Sequence, residues 1–382
     1  MNRFLVIIFS LALYSHLYSS PQFIRDVPVT NTVVHSAQTF DYNNDGLKDL
    51  IYSANSSINL ALAPDFKVIK VATHSKFKKA SIHSMIMDVD LDGDQDFVCA
   101  DHGVVWFENP SSNDPNTPWK ATWITKSFTG QHCFIKHDVD LDGKLDIVTN
   151  NFFPINHAIE KKFPNKYPDS VIWFPTPDNP TEAKSWKPKL IAKNDASGGS
   201  HYLGFADING DNKAELLQGS KGEPFENGHY FAYWTRPSNP SKPWKRHNLP
   251  GTHKGATHLY GGDFNLDGQT DLVGCKGHGT GISLFMAPNW NEIIVDDELV
   301  SPHAFTTADI DKDGDIDLFA CAKTSKKAVW FENDGKGNFK HHLLSDNQQA
   351  YDIFIDDLEG DGDLDIIIAG QGSKNIVFYR QQ

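Results

Sequence analysis

Seven copies of one acidic loop run through the chain, and a repeat of this kind restricts the fold more than any other feature. They read DYNNDGLKDLI from Asp41, DVDLDGDQDFV from Asp88, DVDLDGKLDIV from Asp138, DINGDNKAELL from Asp207, DFNLDGQTDLV from Asp263, DIDKDGDIDLF from Asp309 and DLEGDGDLDII from Asp357. Like charges packed this densely repel one another unless a cation neutralises them. A calcium ion takes several oxygen ligands, and Asp or Asn at alternate positions of a tight turn can surround one. Each copy runs on into a short β-rich segment, not into the helix and terminal Glu of an EF-hand, so the flanking elements read as strands.

The expected calcium ligands stand at positions one, three, five and nine. They are Asp41, Asn43, Asp45 and Asp49; Asp88, Asp90, Asp92 and Asp96; Asp138, Asp140, Asp142 and Asp146; and Asp207, Asn209, Asp211 and Glu215. The last three loops supply Asp263, Asn265, Asp267 and Asp271; Asp309, Asp311, Asp313 and Asp317; and Asp357, Glu359, Asp361 and Asp365. Loops four and seven depart from the pattern, with Asn212 in the glycine place and Glu215 at position nine in one, and Glu359 at position three in the other. These positions hold 25 carboxylates, so a chain of formal charge −14 would carry +11 without them, and seven Ca²⁺ would bring it near neutrality. The acidity is local to the loops and gives no reason to expect a nucleic-acid partner.

Successive loops start 47, 50, 69, 56, 46 and 48 residues apart. Periods near this length with short strands indicate one propeller blade per repeat. In the second repeat the four strands read IHSMIMD, DFVCA, VVWFEN and WKATWITKSF. The third strand recurs as VIWFPTP, FAYWTRP, ISLFMAP, AVWFEND and IVFYRQ, so its tryptophans read as blade packing. The last repeat stops after its third strand, and FIRDVPV, residues 23–29, precedes the first. Counting strands therefore predicts an all-β, seven-bladed β-propeller, with a calcium loop between strands A and B of each blade and the N-terminal strand closing the last blade.

Residues 1–19 read as a secretory signal peptide, leaving 20–382 as the propeller, and no other stretch approaches a membrane span. The expected location is secreted, extracellular or periplasmic, where calcium is plentiful enough for weak loop sites. Cys99, Cys275 and Cys321 occupy nearly equivalent strand B positions, so the four cysteines, Cys133 included, read as buried thiols rather than disulfides.

Tandem blades with an Asp-rich loop between the first two strands resemble the FG-GAP/VCBS repeat superfamily. Its members include the integrin α-chain propeller, a fungal calcium-propeller lectin, and the propeller domains of certain polysaccharide lyases and of aldos-2-ulose dehydratase. The resemblance covers residues 22–382 and implies the fold and up to seven structural Ca²⁺. It leaves function open, because one fold hosts unrelated sites.

A second register carries the functional reading. Five or six residues before the first loop aspartate stand His35, His83, His132, His201, His258, His303 and Tyr351. Histidine is only 17 of 382 residues, so six in seven such places is far above chance. Strand A is innermost and ends at its calcium loop, so its beginning opens beside the channel on the opposite face. The B–C and D–A connections reach the same face and add His74, His102, His157, His229, His253 and His278. That face also takes two insertions, NFFPINHAIEKKFPNKYPDS and GSKGEPFENGHY, with Lys161, Lys162, Lys166 and Tyr167. By contrast His137, His247, His341 and His342 fall in strands or near the calcium side, where a structural role is expected.

Three roles for the cluster stay open: a polar channel lining, a site for Zn²⁺ or another transition metal, and proton transfer near neutral pH. The candidate catalytic residues are His132, His201 and His303, with His83, His258 and Tyr351. The candidate substrate-binding residues are His35, His102, His157, Lys161, Tyr167, His229 and His278. Histidines and a tyrosine as base and acid, with a metal or lysines as positive charge, are what β-elimination needs. The expectation is therefore a carbohydrate-active lyase or dehydratase on acidic or oxidised sugars, and the resemblance to the propeller lyases and the dehydratase points the same way. The alternative is a lectin or adhesion propeller without catalysis.

Overall fold

The computed structural model describes residues 21–73, 81–101, 103–112, 114–153 and 167–382. The expected signal peptide, His74, His102, His157, Lys161, Lys162 and Lys166 lie outside these residues. Seven four-stranded antiparallel sheets make the seven blades, and no α-helix occurs among the described residues. In blade two the strands are Ser84–Met87, Asp96–Ala100, Val104–Glu108 and Lys120–Thr125, the segments expected from the sequence.

Each strand B is a nearly continuous buried run, because it sits between its neighbours and between adjacent blades. Asp49–Ala54, Asp317–Ala322 and Asp365–Gly370 are buried at every position. Trp106, Trp173, Trp234 and Trp330 of strand C are fully enclosed, which makes them packing residues and removes them as sugar-stacking platforms. All four cysteines are buried free thiols.

The ring closes as strand counting predicts. Phe23–Val29 pairs antiparallel with Asn375–Gln381, from Phe23 opposite Gln381 to Val29 opposite Ile376, and supplies the outer strand of blade seven. Phe23 adds an edge-to-face contact with Trp330 of blade six, 6.2 Å between ring centres. The amide of Gln382 donates to the carbonyl of Gln22 at 3.0 Å, so the two chain segments stay in register to their tips.

The loops between strands A and B share one construction. The first aspartate accepts backbone N–H groups from positions five and six, as when Asp88 accepts from Asp92 and Gly93 at 3.1 Å each. Position six needs the left-handed backbone that glycine adopts freely, and Gly93 has φ 101°. Asn212 takes that conformation in loop four with φ 62°, which asparagine tolerates, so the departure seen in the sequence leaves the turn intact.

Position nine is the hinge of the construction. Asp96 is 0% exposed and accepts N–H from Val89 at 2.9 Å and from Asn109 at 2.8 Å, tying its loop to the end of strand C. Asp49, Asp146, Asp317 and Asp365 repeat the pair of contacts. Burial, with neighbouring carboxylates adding to it, pushes Asp96 and Asp317 up to about 8. Carboxylate oxygens of Asp88, Asp90 and Asp96 approach within 4.8 Å of one another, as do those of Asp138, Asp140 and Asp146 and of Asp309, Asp311 and Asp313. In these three loops the carboxylates converge closely enough to share one cation.

Candidate functional site

Strand A of each blade begins at the axis and ends at its acidic loop. Counting back from the loop aspartate sorts the inward residues into two tiers. Six positions before it stand His35, His132, His201, His303 and Tyr351; five positions before it stand His83, Cys133, Tyr202, His258 and Asp352. In a regular strand successive side chains point to opposite faces. Here the pairing of strands A and B slips between Gln131 and Phe134, between Ser200 and Leu203, and between Pro302 and Ala304. A bulge of this kind turns a neighbouring residue inward as well. Blades three, four and six, which carry His132, His201 and His303, all have one.

The upper tier is a contiguous ring of imidazoles and a phenol. Ring centres are 4.2 Å apart for His132 and His201, 5.5 Å for His201 and His303, 4.1 Å for His303 and Tyr351, and 5.4 Å for Tyr351 and His35. His278, on the B–C connection of blade five, leans in with its Nε2 2.9 Å from Nε2 of His201. One nitrogen from each of His201, His278 and His303 lies within 4.8 Å of the other two. The structure thus brings His278, expected as a substrate contact, into the tightest nitrogen cluster, while His132 stands one ring further out against Phe152.

Tyr202 plugs the channel beneath. It stacks on His258 at 3.6 Å and meets His83 at 5.5 Å edge-on. Its hydroxyl crosses from blade four to blade seven and donates to the carbonyl of Tyr351 at 3.0 Å, with Nδ1 of His303 3.5 Å away. Asp352 sits in the same tier; its Oδ2 is buried without a hydrogen-bond partner, and desolvation pushes its carboxyl up to about 7.

Burial decides the charge of the imidazoles. Desolvation lowers His35, His83 and His278 to about 4, and it holds His132, His201, His258 and His303 well below the usual histidine range. Neutral rings at neutral pH can accept protons, donate hydrogen bonds or bind metal. The cations of the site are two lysines just past strand B. Lys323 Nζ donates to the Tyr351 hydroxyl at 3.1 Å, and Lys221 Nζ lies over the rings of Phe225 and Phe152 at 5.3 and 5.7 Å. Both lysines bear on His278 and help depress it.

Two expected substrate contacts stand elsewhere. His229 lines a groove of about 610 Å³ with Tyr230, Arg246 and Asn248. Tyr167 packs on Phe128 and lines a hollow with Trp186 and Thr125. His253, counted with the same face, is enclosed by Phe231 and Phe285 and bonded to the carbonyl of Pro250. His137 stacks on Phe205, His247 on Tyr233, His341 on Phe331 and His342 on Trp330, structural contacts in each case.

Sequence reasoning missed Tyr202, Asp352, Phe152, Lys221 and Lys323. A signal for the last three exists. Phe152, Lys221 and Lys323 each stand fourteen residues after the first aspartate of their loop, the first place beyond strand B, which is a second register in the same repeat.

A family model described as an FG-GAP-like repeat matches residues 302–368. No curated protein matches the chain in sequence. Among solved structures, a lectin from Agrocybe aegerita that recognises non-reducing terminal N-acetylglucosamine is similar with a TM-score of 0.55 and 15% identity, over 87% of this chain and 88% of that one. A streptogramin B lyase is similar with a TM-score of 0.58 and 11% identity, over 94% and 98% of the two chains. The Vibrio cholerae (V. cholerae) biofilm matrix protein Bap1 is similar with a TM-score of 0.50 and 11% identity, over 92% and 88%. At these identities the likeness is one of fold.

Proposed function

We propose that this seven-bladed propeller, with its FG-GAP-like repeat, is a carbohydrate-active enzyme that opens an acidic sugar by β-elimination at the axial site. The observation that carries the reading is the grouping of Tyr351, Lys323 and His303. A phenol hydroxyl stands 3.1 Å from an ammonium group and beside an imidazole that burial keeps neutral.

β-Elimination breaks the C–H bond next to a carboxylate, forms a C=C bond and expels the β oxygen, which leaves with a proton. Tyr351 Oη, as the phenolate facing the Lys323 ammonium, is the atom assigned to take the first proton; the phenol so formed returns that proton to the leaving oxygen and regenerates the phenolate. Lys323 holds the charge of the phenolate, and Lys221 offers a second cation to the substrate carboxylate, where the negative charge of the intermediate gathers. The Phe152 and Phe225 rings form an apolar wall for the sugar face.

The leader-like pattern of residues 1–19 and the demand of the loops for calcium support an exported enzyme. A second reading, a carbohydrate-binding module, is favoured by the groove around His229, Tyr230 and Arg246, where a guanidinium lies 3.8 Å from a tyrosine ring centre.

Incubation with polygalacturonate, alginate and glycosaminoglycans, followed by ultraviolet absorbance of unsaturated product, tests the reading. Turnover is expected on one of them, with Tyr351→Phe reducing kcat by about 10²–10⁴. Tight binding without product, abolished by Arg246→Ala and indifferent to Tyr351→Phe, would overturn it in favour of the binding module.

A further inference from the structure

We propose that His201, His278 and His303 form a site for a divalent transition metal ion of the zinc type, distinct from the calcium loops. Two features of the surroundings support this, and neither depends on the elimination chemistry above; a third bears on what fills the remaining coordination position.

The first is proximity of nitrogen to nitrogen. A zinc–imidazole bond is about 2.0–2.1 Å, so ligand nitrogens around one tetrahedral ion sit about 3.4 Å apart. The three histidine nitrogens lie within 4.8 Å, two of them at 2.9 Å. His278, the one exposed member, is the ring with room to adjust toward a shared ion.

The second is the tautomer imposed on the two buried members. Nδ1 of His201 is 3.2 Å from the carbonyl of Gly199, which can only accept, so Nδ1 carries the proton and Nε2 presents a lone pair. The Tyr202 hydroxyl commits its own hydrogen to the Tyr351 carbonyl, which leaves its oxygen as acceptor for Nδ1–H of His303. Nε2 of His303 then also presents a lone pair, and it is buried with no hydrogen-bond partner on a residue 0% exposed. An outer partner that fixes which nitrogen faces inward is the arrangement metal-binding histidines require. Nε2 of His278 faces the His201 lone pair at 2.9 Å, a separation that either a proton carried by His278 or a cation shared by the two rings accounts for.

The third is charge. The trio holds no carboxylate, and Lys221 and Lys323 both bear on His278. A 2+ ion beside two ammonium groups is stable there only with an anion in the remaining position. The fourth ligand is therefore an anion, and a carboxylate-bearing ligand fits it. This last step rests on the acidic-substrate reading, while the metal site itself does not.

The test uses the full-length protein stripped of metal and reloaded with excess Ca²⁺, then titrated with Co²⁺ and with Zn²⁺. One equivalent beyond calcium is expected, with visible d–d bands of nitrogen-bound, low-coordinate Co²⁺. His278→Ala, at an exposed position that spares the core, should abolish the bands. Tyr202→Phe, which removes the hydroxyl that orients His303, should weaken Zn²⁺ binding by about 10–100-fold. His341→Ala, on an outer strand, should change nothing. Zn²⁺ binding that excess Ca²⁺ displaces, or Co²⁺ bands that survive unchanged in His278→Ala, would overturn the proposal. So would the absence of any equivalent beyond calcium.

Discussion

At one end of each inner strand the seven blades repeat the same acidic loop, down to the first aspartate accepting from positions five and six. At the other end the equivalent positions hold imidazole, phenol, carboxylate and thiol side by side. The loops each solve a private problem: closing a tight turn and tying it to its own strand C through the position-nine carboxylate. Seven blades meet that problem seven times, so the answer is copied. The axial residues face one shared space, and a shared space needs different chemistries in different places. Repetition marks what a blade needs, and divergence at a repeated position marks what the molecule does.

The largest expected effect breaks the acidic rim. A ligand bound only by the folded state at about 1,000 times its Kd adds about 4 kcal/mol, and several such sites exceed the roughly 5–15 kcal/mol that holds a typical domain together. Chelation of calcium is therefore expected to unfold the protein or lower its Tm by tens of degrees in calorimetry. A Tm that excess chelator leaves unmoved, with no calcium retained, would show the loops to be self-sufficient turns.

Next comes a single loop. Asp96→Ala orphans the amides of Val89 and Asn109, each a buried donor worth about 1–3 kcal/mol when unsatisfied, so a loss of about 3 kcal/mol is expected in denaturant unfolding. A loss below 1 kcal/mol would mean that the loop is not tied to strand C through this carboxylate.

The axial rim should answer to acid instead. His83 has its ring lowered to about 4 in the folded protein against an ordinary 6.5, so the unfolded chain binds more protons between those values. Its contribution is complete above about 6.5 and is lost as the pH falls towards 4, at most about 3 kcal/mol. Asp352, raised to about 7, works against this, losing stability as pH rises from about 4 to 7. The raised loop carboxylates Asp96 and Asp317 act in the same sense as Asp352, so the readout is the difference between variant and parent: His83→Gln should lose less unfolding free energy than the parent as the pH falls from about 6.5 to 4. An identical slope in the variant would assign the acid sensitivity elsewhere.

The smallest effect probes whether the seven loops are equal. In loop seven Arg380 holds the position-three carboxylate, Glu359 Oε1, at 2.6 Å. Arg380→Met should change stability by less than about 1 kcal/mol while strengthening calcium binding at one site in a calorimetric titration. An unchanged titration would place loop seven with the others.

The fold was legible because each blade restates it. Period, loop motif, buried strand C tryptophans and the missing outer strand of blade seven all pointed to one architecture. The site was legible only where it shared the repeat: His132, His201 and His303 lie at one offset. Tyr202 was hidden because strict alternation turns the residue next to a histidine away from the axis, and the slip between Ser200 and Leu203 suspends that rule. Lys221 and Lys323 were hidden because the loops after strand B differ in length, although the first residue of each holds its register. Tyr167 and His229 were expected at the axis from the face their segments share; a common face does not fix a common depth.

The pairing of Phe23–Val29 with Asn375–Gln381 also sets an order of events. The segment synthesised first among the described strands finds its partner only when the last one has left the ribosome. Blades can form one by one meanwhile, each from contacts close in sequence, but the circle stays open. Its final contact is the most distant in the chain and carries the longest loop-closure cost. The seam in blade seven is where folding should finish, and where opening should begin.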